Sequence, residues 1–150
     1  MKTTGYFCIF SAKQSQIVRI VYSLMNKVVL AKLGLDGHVR GIQAIAYALK
    51  GAGWEVVYLG LANTPKNVVK AVIEEDAKVI GLSFLSGEHI GMTKKVFLEL
   101  KKNNVDVPVV VGGCIPYGDI VRLKKMGVLE VFTSGTLLSD IVNFFEKLKH

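Results

Sequence analysis

Hydrophobic positions follow two alternating patterns along the chain. Short apolar runs rich in β-branched residues, which are typical of buried strands, alternate with stretches whose apolar residues recur three and four positions apart, as in amphipathic helices. The runs predict five strands, at residues 27–34, 54–60, 78–85, 107–113 and 129–133. The run at 78–85 reads KVIGLSFL. Such an almost continuously apolar run is expected of a strand covered on both faces of a parallel sheet.

A helical pattern follows each predicted strand. Thr64-Pro65 is a helix start, because threonine can cap a helix and proline suits its first position. A short helix is expected at 116–126, closed by Gly127, and a last helix at 136–148. The apolar stripes predicted to face inward are Ile42, Ile45, Ala46 and Leu49; Val68, Ala71 and Val72; Thr93, Val96, Phe97 and Leu100; and Leu138, Ile141, Val142 and Phe145.

Five successive strand–helix units predict an α/β fold with a doubly wound, flavodoxin-like (Rossmann-like) parallel sheet and helices on both faces. The expected strand order is 2-1-3-4-5, in which the winding reverses between strands 1 and 3. Ligands of such sheets bind at the carboxyl ends of the strands near that reversal, which directs attention to the loops at 35–41 and 83–91. One domain is expected over 26–150, preceded by an extension at 1–25 whose role the sequence does not indicate.

Composition supports a single globular core and excludes several classes of protein. Of the 150 residues, 51% are hydrophobic and 21% are charged. The net charge of +7 is spread over several helices without a recognised motif, so nucleic-acid binding is not expected. No apolar run approaches the roughly 18 residues of a membrane span. A cytoplasmic location is expected, because no targeting segment is recognised and the two cysteines, Cys8 and Cys114, are expected to be free thiols.

The loop after strand 1, DGHVRG, holds the least generic residues of the chain. An aspartate two residues before a histidine can accept one ring N–H and leave the other nitrogen as a metal ligand. The two glycines of the loop allow a turn and a close approach at the helix start. A capped loop with a surface histidine is the alternative interpretation of the same residues. The candidates in this loop are Asp36, Gly37, His38, Val39, Arg40 and Gly41.

Three further strand ends carry candidate binding residues. The loop after strand 3 offers the hydroxyls of Ser83 and Ser86, with Leu85 and Gly87 beside them, and a capping loop for the next helix is the alternative interpretation. Gly112 and Gly113 remove side-chain bulk at the end of strand 4. Gly135 and Thr136 precede the last helix, whose start suits an anion or a simple cap.

These motifs, taken in order, resemble the signature of cobalamin-binding domains that hold the cofactor base-off with a histidine as lower cobalt ligand. The signature consists of Asp36-x-His38-x-x-Gly41, Ser83-x-Leu85 and Gly112-Gly113. The surrounding text, KLGLDGHVRG, EDAKVIGLSFLSGEH, VPVVVGG and SGT, is similar to the methylmalonyl-CoA mutase branch over about residues 27–148. The chain departs from that branch at Val39, where relatives usually have an acidic residue.

The resemblance implies a role for each matching position. His38 would be the axial ligand of cobalt, and Asp36 would hydrogen-bond its imidazole. Ser83 would bond the benzimidazole of the displaced nucleotide tail, with Leu85 packed beside it. Gly41, Gly112 and Gly113 would make room for the tail and the corrin, and Thr136 would contact the nucleotide end. The other loop residues named above are expected to bind cofactor, whereas His89 is expected to serve loop structure or touch the cofactor edge.

The resemblance also implies an activity and its partners. The chain would be the small subunit of an adenosylcobalamin-dependent acyl-CoA mutase such as the one that converts methylmalonyl-CoA to succinyl-CoA. Because 150 residues cannot include a substrate-binding barrel of about 250 residues, a separate large barrel subunit is expected, and catalysis by this chain alone is not. A GTPase chaperone for cofactor loading is a further expected partner.

Two alternative classes share parts of this pattern. A corrinoid methyl carrier, or a cobalamin-dependent regulator, would have the same motif. Methyl carriers usually have several helices before strand 1, however, and only about 25 residues precede it here. A receiver-like signalling domain would need an aspartate at the end of strand 3, where this chain has Ser83-Phe84-Leu85.

Overall fold

The computed structural model describes residues 26–35, 37–85 and 87–149 of the chain. Its five strands are β1 (Lys27–Lys32), β2 (Glu55–Tyr58), β3 (Val79–Phe84), β4 (Val109–Gly113) and β5 (Glu130–Thr133). Its five helices are α1 (Arg40–Gly51), α2 (Pro65–Glu74), α3 (His89–Lys102), α4 (Tyr117–Lys125) and α5 (Leu138–Glu146). The predicted extension at 1–25 and the candidates Asp36 and Ser86 lie outside the described residues.

The strands form one parallel sheet in the order β2-β1-β3-β4-β5, which confirms the predicted fold. The register pairs Lys32 with Ser83 across β1 and β3, and Ser83 with Gly112 across β3 and β4. The carboxyl ends of these three strands therefore lie side by side at one edge of the sheet, and the loops that follow them share that edge.

The sheet is covered on both faces, and β1 divides its side chains between them. Val29, Ala31 and Leu33 pack into a core with residues of α2, α3 and α4. Val28 and Leu30 pack on the opposite face into a second core, which includes residues of α1 and α5. This alternation explains why β1 and β3 are apolar along nearly their whole length, as the sequence pattern indicated.

Most of the predicted helix stripes are buried. Thr64 caps α2 by accepting a hydrogen bond from the Asn67 N–H at 3.2 Å, as its position before Pro65 predicted. The prediction was wrong for Leu138, which is 43% exposed. Leu138 is the first residue of α5 and faces an opening between the sheet and the helices α1 and α5, so the core around Ile141 and Phe145 does not cover it.

Across the described ranges, no helix is both long enough and apolar enough to cross a membrane.

Candidate functional site

A cleft of about 250 Å³ opens between the sheet and the two helices α1 and α5. Its floor consists of residues of β1, β3 and β4, and its walls come from the first half of α1, from α5, and from the end of β5 with the turn that follows it. Its lining is mainly apolar and includes several glycines. The lining residues are Leu30, Gly41, Ile42, Ala44, Ile45, Gly81, Leu82, Ser83, Val110, Val111, Gly112, Gly113, Phe132, Thr133, Ser134, Gly135, Thr136, Leu138, Ile141 and Phe145.

The two positions at the end of β4, Gly112 and Gly113, are glycine for different structural reasons. Gly113 has φ of +129°, and a Cβ there would overlap the carbonyl group of Phe84 on the neighbouring strand. The backbone geometry itself therefore requires glycine at 113. A Cβ at Gly112 would lie 3.6 Å from the Phe132 carbonyl oxygen, which is ordinary contact. Glycine at 112 is thus not needed for folding, and its effect is to keep the cleft open.

Six predicted site residues line this cleft: Gly41, Ser83, Gly112, Gly113, Gly135 and Thr136. They come from four separate strand–helix junctions, which the fold brings to one edge. The Thr136 hydroxyl donates a hydrogen bond to the Thr133 carbonyl oxygen at 2.8 Å, so its side chain holds the turn between β5 and α5.

The other predicted residues that the structure describes lie beside the cleft and not in its lining. His38 is exposed, and it precedes the cleft residue Gly41 by only three positions. Gly37, Val39 and Arg40 belong to the same approach to α1. Leu85 and Gly87 are exposed in the loop between β3 and α3. Their roles toward a ligand stay predictions.

Sequence reasoning missed Lys32, which is only 1% exposed at the carboxyl end of β1. Its Nζ donates a hydrogen bond to the Ser83 hydroxyl at 3.4 Å, on the strand next to it. Lysine is almost never fully buried unless it is paired, so a lysine here costs free energy that an apolar residue would not. The signal that could have found it is the single charged residue at the end of the apolar run VVLAK.

A second polar group lies on the opposite face of the sheet. His89, 3% exposed, begins α3, and its Nε2 lies 2.9 Å from Oδ2 of Asp119 in the first turn of α4. The other carboxylate oxygen of Asp119 accepts a hydrogen bond from Nη1 of Arg122 at 2.9 Å. The hydrogen bonds from His89 and Arg122 hold the pKa of the Asp119 carboxyl below its usual value.

Comparisons with known proteins identify the family to which this chain belongs. The family model described as "B12 binding domain" matches residues 26–142, and the chain belongs to that family. The small subunit of 2-hydroxyisobutanoyl-CoA mutase from Aquincola tertiaricarbonis is 41% identical over 123 residues, which are 81% of this chain and 90% of that protein. The alternative of a receiver-like signalling domain is therefore excluded by family membership.

Two further relatives illustrate how this domain occurs elsewhere. Ethylmalonyl-CoA mutase from Cereibacter sphaeroides is 35% identical over 151 residues, which cover 97% of this chain but 23% of that longer protein. A solved structure of a cobalamin-binding protein from Desulfitobacterium hafniense superposes with a TM-score of 0.71 at 25% identity. That superposition covers 82% of this chain and 58% of the other.

Proposed function

We propose that this chain is the cobalamin-binding subunit of an adenosylcobalamin-dependent acyl-CoA mutase. The observation that carries the proposal is the cleft at the carboxyl edge, which has an apolar, glycine-rich lining, a serine hydroxyl at a strand end and a histidine three residues from its wall. Membership of the B12-binding family supplies the cofactor class. The bound cofactor would supply the radical chemistry through its cobalt–carbon bond, and the residues of this chain would bind and orient it.

The dimensions of the cleft suit one arm of such a cofactor. Its volume of about 250 Å³ is slightly below the range of roughly 300–1,000 Å³ that is typical of whole-ligand pockets. The cleft would therefore take the nucleotide tail, with its benzimidazole against the apolar walls and within reach of the Ser83 hydroxyl. The corrin would remain outside, over the ends of the strands.

His38 is proposed as the lower cobalt ligand. With the nucleotide tail held in the cleft, His38 would supply a nitrogen ligand to the cobalt in place of the cofactor's own base. His38 is exposed at that edge and neutral imidazole is a good ligand for cobalt. Asp36 is proposed to orient the imidazole, as the motif implies.

A large barrel subunit that binds the acyl-CoA is the proposed partner. Each of the five connections after a strand presents an exposed apolar side chain: Leu35, Leu61, Leu85 and Leu137 in loops and Tyr117 at the first position of α4. Apolar side chains gathered around a binding cleft favour coverage by the corrin and a second protein surface.

Methylmalonyl-CoA is the proposed substrate, because the loop motifs resemble those of the methylmalonyl-CoA mutase branch. Cofactor loading by a GTPase chaperone and a cytoplasmic location complete the proposal, and the free thiol of Cys114 is consistent with a reducing compartment.

The test of cofactor binding is titration of the purified chain with cob(II)alamin, followed by paramagnetic resonance of the complex. We expect a base-off spectrum whose axial nitrogen splitting changes when histidine is labelled with nitrogen-15. A splitting that is unaffected by the label would show that histidine does not coordinate the cobalt. Absence of binding, both alone and with a co-expressed large subunit, would overturn the proposed function.

The substrate is tested separately, with the large subunit that co-purifies with this chain. Methylmalonyl-CoA and 2-hydroxyisobutanoyl-CoA are supplied in parallel with adenosylcobalamin, and the isomerised acyl-CoA products are separated by chromatography. We expect turnover of methylmalonyl-CoA only when both subunits are present. Turnover of the second substrate alone would keep the mutase assignment and replace the proposed substrate.

A further inference from the structure

The pair of His89 and Asp119 connects two loops that flank the cleft floor, from the opposite face of the sheet. His89 is the first residue of α3, directly after the loop that leaves β3, and Asp119 is in the first turn of α4, after the loop that leaves β4. Neither residue belongs to the cleft lining, which is formed on the face covered by α1 and α5. Their hydrogen bond therefore links the exits of two neighbouring strands without reaching the cleft.

Burying the His89 ring at this position costs folding free energy, and packing alone does not explain why a histidine is there. Nδ1 of His89 is buried and has no hydrogen-bond partner among the residues described by the structure. A buried polar atom left in this way destabilises the fold, and an apolar residue at this position would avoid the penalty. The hydrogen bond to a charged carboxylate, backed by Arg122, is the interaction that offsets it.

The ring of His89 also contacts the end of β3. Its centroid lies 6.5 Å from the ring of Phe84 at an interplanar angle of 65°. The Phe84 carbonyl oxygen accepts the Cys114 N–H at 3.1 Å, and Phe84 lies opposite Gly113 in the sheet register. Movement of the His89 ring would thus be transmitted to the residues next to Ser83 and Gly112.

We propose that His89, held by Asp119 and Arg122, is a positioning residue for the cofactor tail. It sets the position of Phe84 and of the loop from Cys114 to α4, and so holds in place the end of the cleft floor that lies next to the Ser83 hydroxyl. The proposal rests on the proposed function for the identity of the ligand. The positioning itself is a property of the free protein and can be measured without ligand.

The first arm of the test measures amide hydrogen exchange in the free chain, at residues 83–85 and 112–118. His89→Ala is compared with His89→Gln, whose side-chain amide can still donate to Asp119, and with Thr93→Val. Thr93 is a matched control, because it lies one turn further along α3, is fully buried and has a hydroxyl with no described partner. We expect exchange in both segments to rise about tenfold in His89→Ala and to return toward wild type in His89→Gln. Thr93→Val should leave both segments unchanged.

The second arm measures the Kd for cob(II)alamin in the same variants, together with the urea midpoint of each. We expect about tenfold weaker binding for His89→Ala, because a cleft floor that is correctly placed in only about a tenth of the molecules raises the apparent Kd by that factor. Asp119→Asn, which keeps the size of the side chain, should weaken binding in the same direction if His89→Ala proves too unstable to titrate.

The outcomes separate this inference from the proposed function. If wild type binds no cobalamin, the proposed function fails, and the exchange arm still decides whether His89 positions the two loops. If His89→Ala folds with wild-type exchange in both segments, or if Thr93→Val raises exchange equally, His89 is an ordinary buried residue and the inference is overturned. Altered exchange with an unchanged Kd would mean that the His89–Asp119 pair only maintains the structure of the loops, and would overturn its role toward the cofactor.

Discussion

At the scale of single residues, the exposure of His38 allows its role in binding to be tested without a large effect on folding. The side chain is exposed in the approach to α1. Substitution of an exposed residue away from caps and special backbone positions usually changes stability by less than about 0.5 kcal/mol. We therefore expect His38→Ala to keep the wild-type urea midpoint and to lose the histidine-labelled splitting of bound cob(II)alamin. A large drop in the midpoint would instead assign His38 a structural role.

Ser83 differs from His38 because it is half-buried and already accepts a hydrogen bond from Lys32. Ser83→Ala should weaken cobalamin binding by roughly 1 kcal/mol, the net worth of one neutral hydrogen bond. Isothermal titration of the variant beside wild type measures the change. Loss of cooperative unfolding in Ser83→Ala would mean that the hydroxyl serves mainly to satisfy the buried lysine.

At the scale of elements, the end of β4 offers a matched pair of substitutions one residue apart. Gly113→Ala forces a Cβ into the Phe84 carbonyl group at a φ of +129°, so we expect a loss of stability of about 3 kcal/mol or more. Gly112→Ala meets only ordinary contacts, so it should fold with nearly wild-type stability and bind cobalamin more weakly, because the added methyl group occupies the cleft. Urea unfolding and cobalamin titration of both variants test the contrast. Equal stability of the two would contradict it.

At the scale of the whole molecule, the Asp119 carboxylate makes the free energy of unfolding depend on pH in the acidic range. Hydrogen bonds from His89 and Arg122 lower the pKa of this carboxyl in the folded chain. An ordinary unfolded-state aspartate has a pKa of about 3.9. The contribution of Asp119 is therefore complete above that pKa and is lost as the pH falls through the lower pKa of the folded state.

The corresponding measurement is a series of urea unfolding curves between about pH 6 and pH 3 for wild type and Asp119→Asn. Wild type should be more stable at the upper end, and the difference between the two proteins should shrink as the pH falls. A difference that stays constant over the series would show that the carboxylate charge is not what matters. Far-ultraviolet circular dichroism of both proteins at the upper pH is the control for an intact fold.

The patterns along the chain contained most of the information needed to predict the fold. Strand and helix periodicities depend on which face of an element is buried, and Thr64-Pro65 starts a helix through purely local contacts. The order of the strands was predicted because five strand–helix units in a chain of this size favour the flavodoxin-like arrangement. Leu138 was predicted wrongly because a periodic stripe does not reveal where an open cleft leaves part of a helix face uncovered.

The candidate site was predictable only in part. Short motifs at strand ends identified Ser83 and Gly112, since the carboxyl edge of such a sheet is the expected place for a ligand. The apolar walls contributed by Ile42 and Ile141 were assigned to the core, because apolar periodicity is the same for a helix that packs on a sheet and for one that also lines a cleft.

By itself, the sequence determined the strand order, the family motif and the edge of the sheet where binding is expected, because each depends on residues near one another in the chain or on general rules of chain winding. The tertiary structure alone decided which side chains meet. It paired Lys32 with Ser83 and His89 with Asp119, at separations of 51 and 30 residues. Such contacts depend on how helices and strands pack in three dimensions, and no local pattern records that packing.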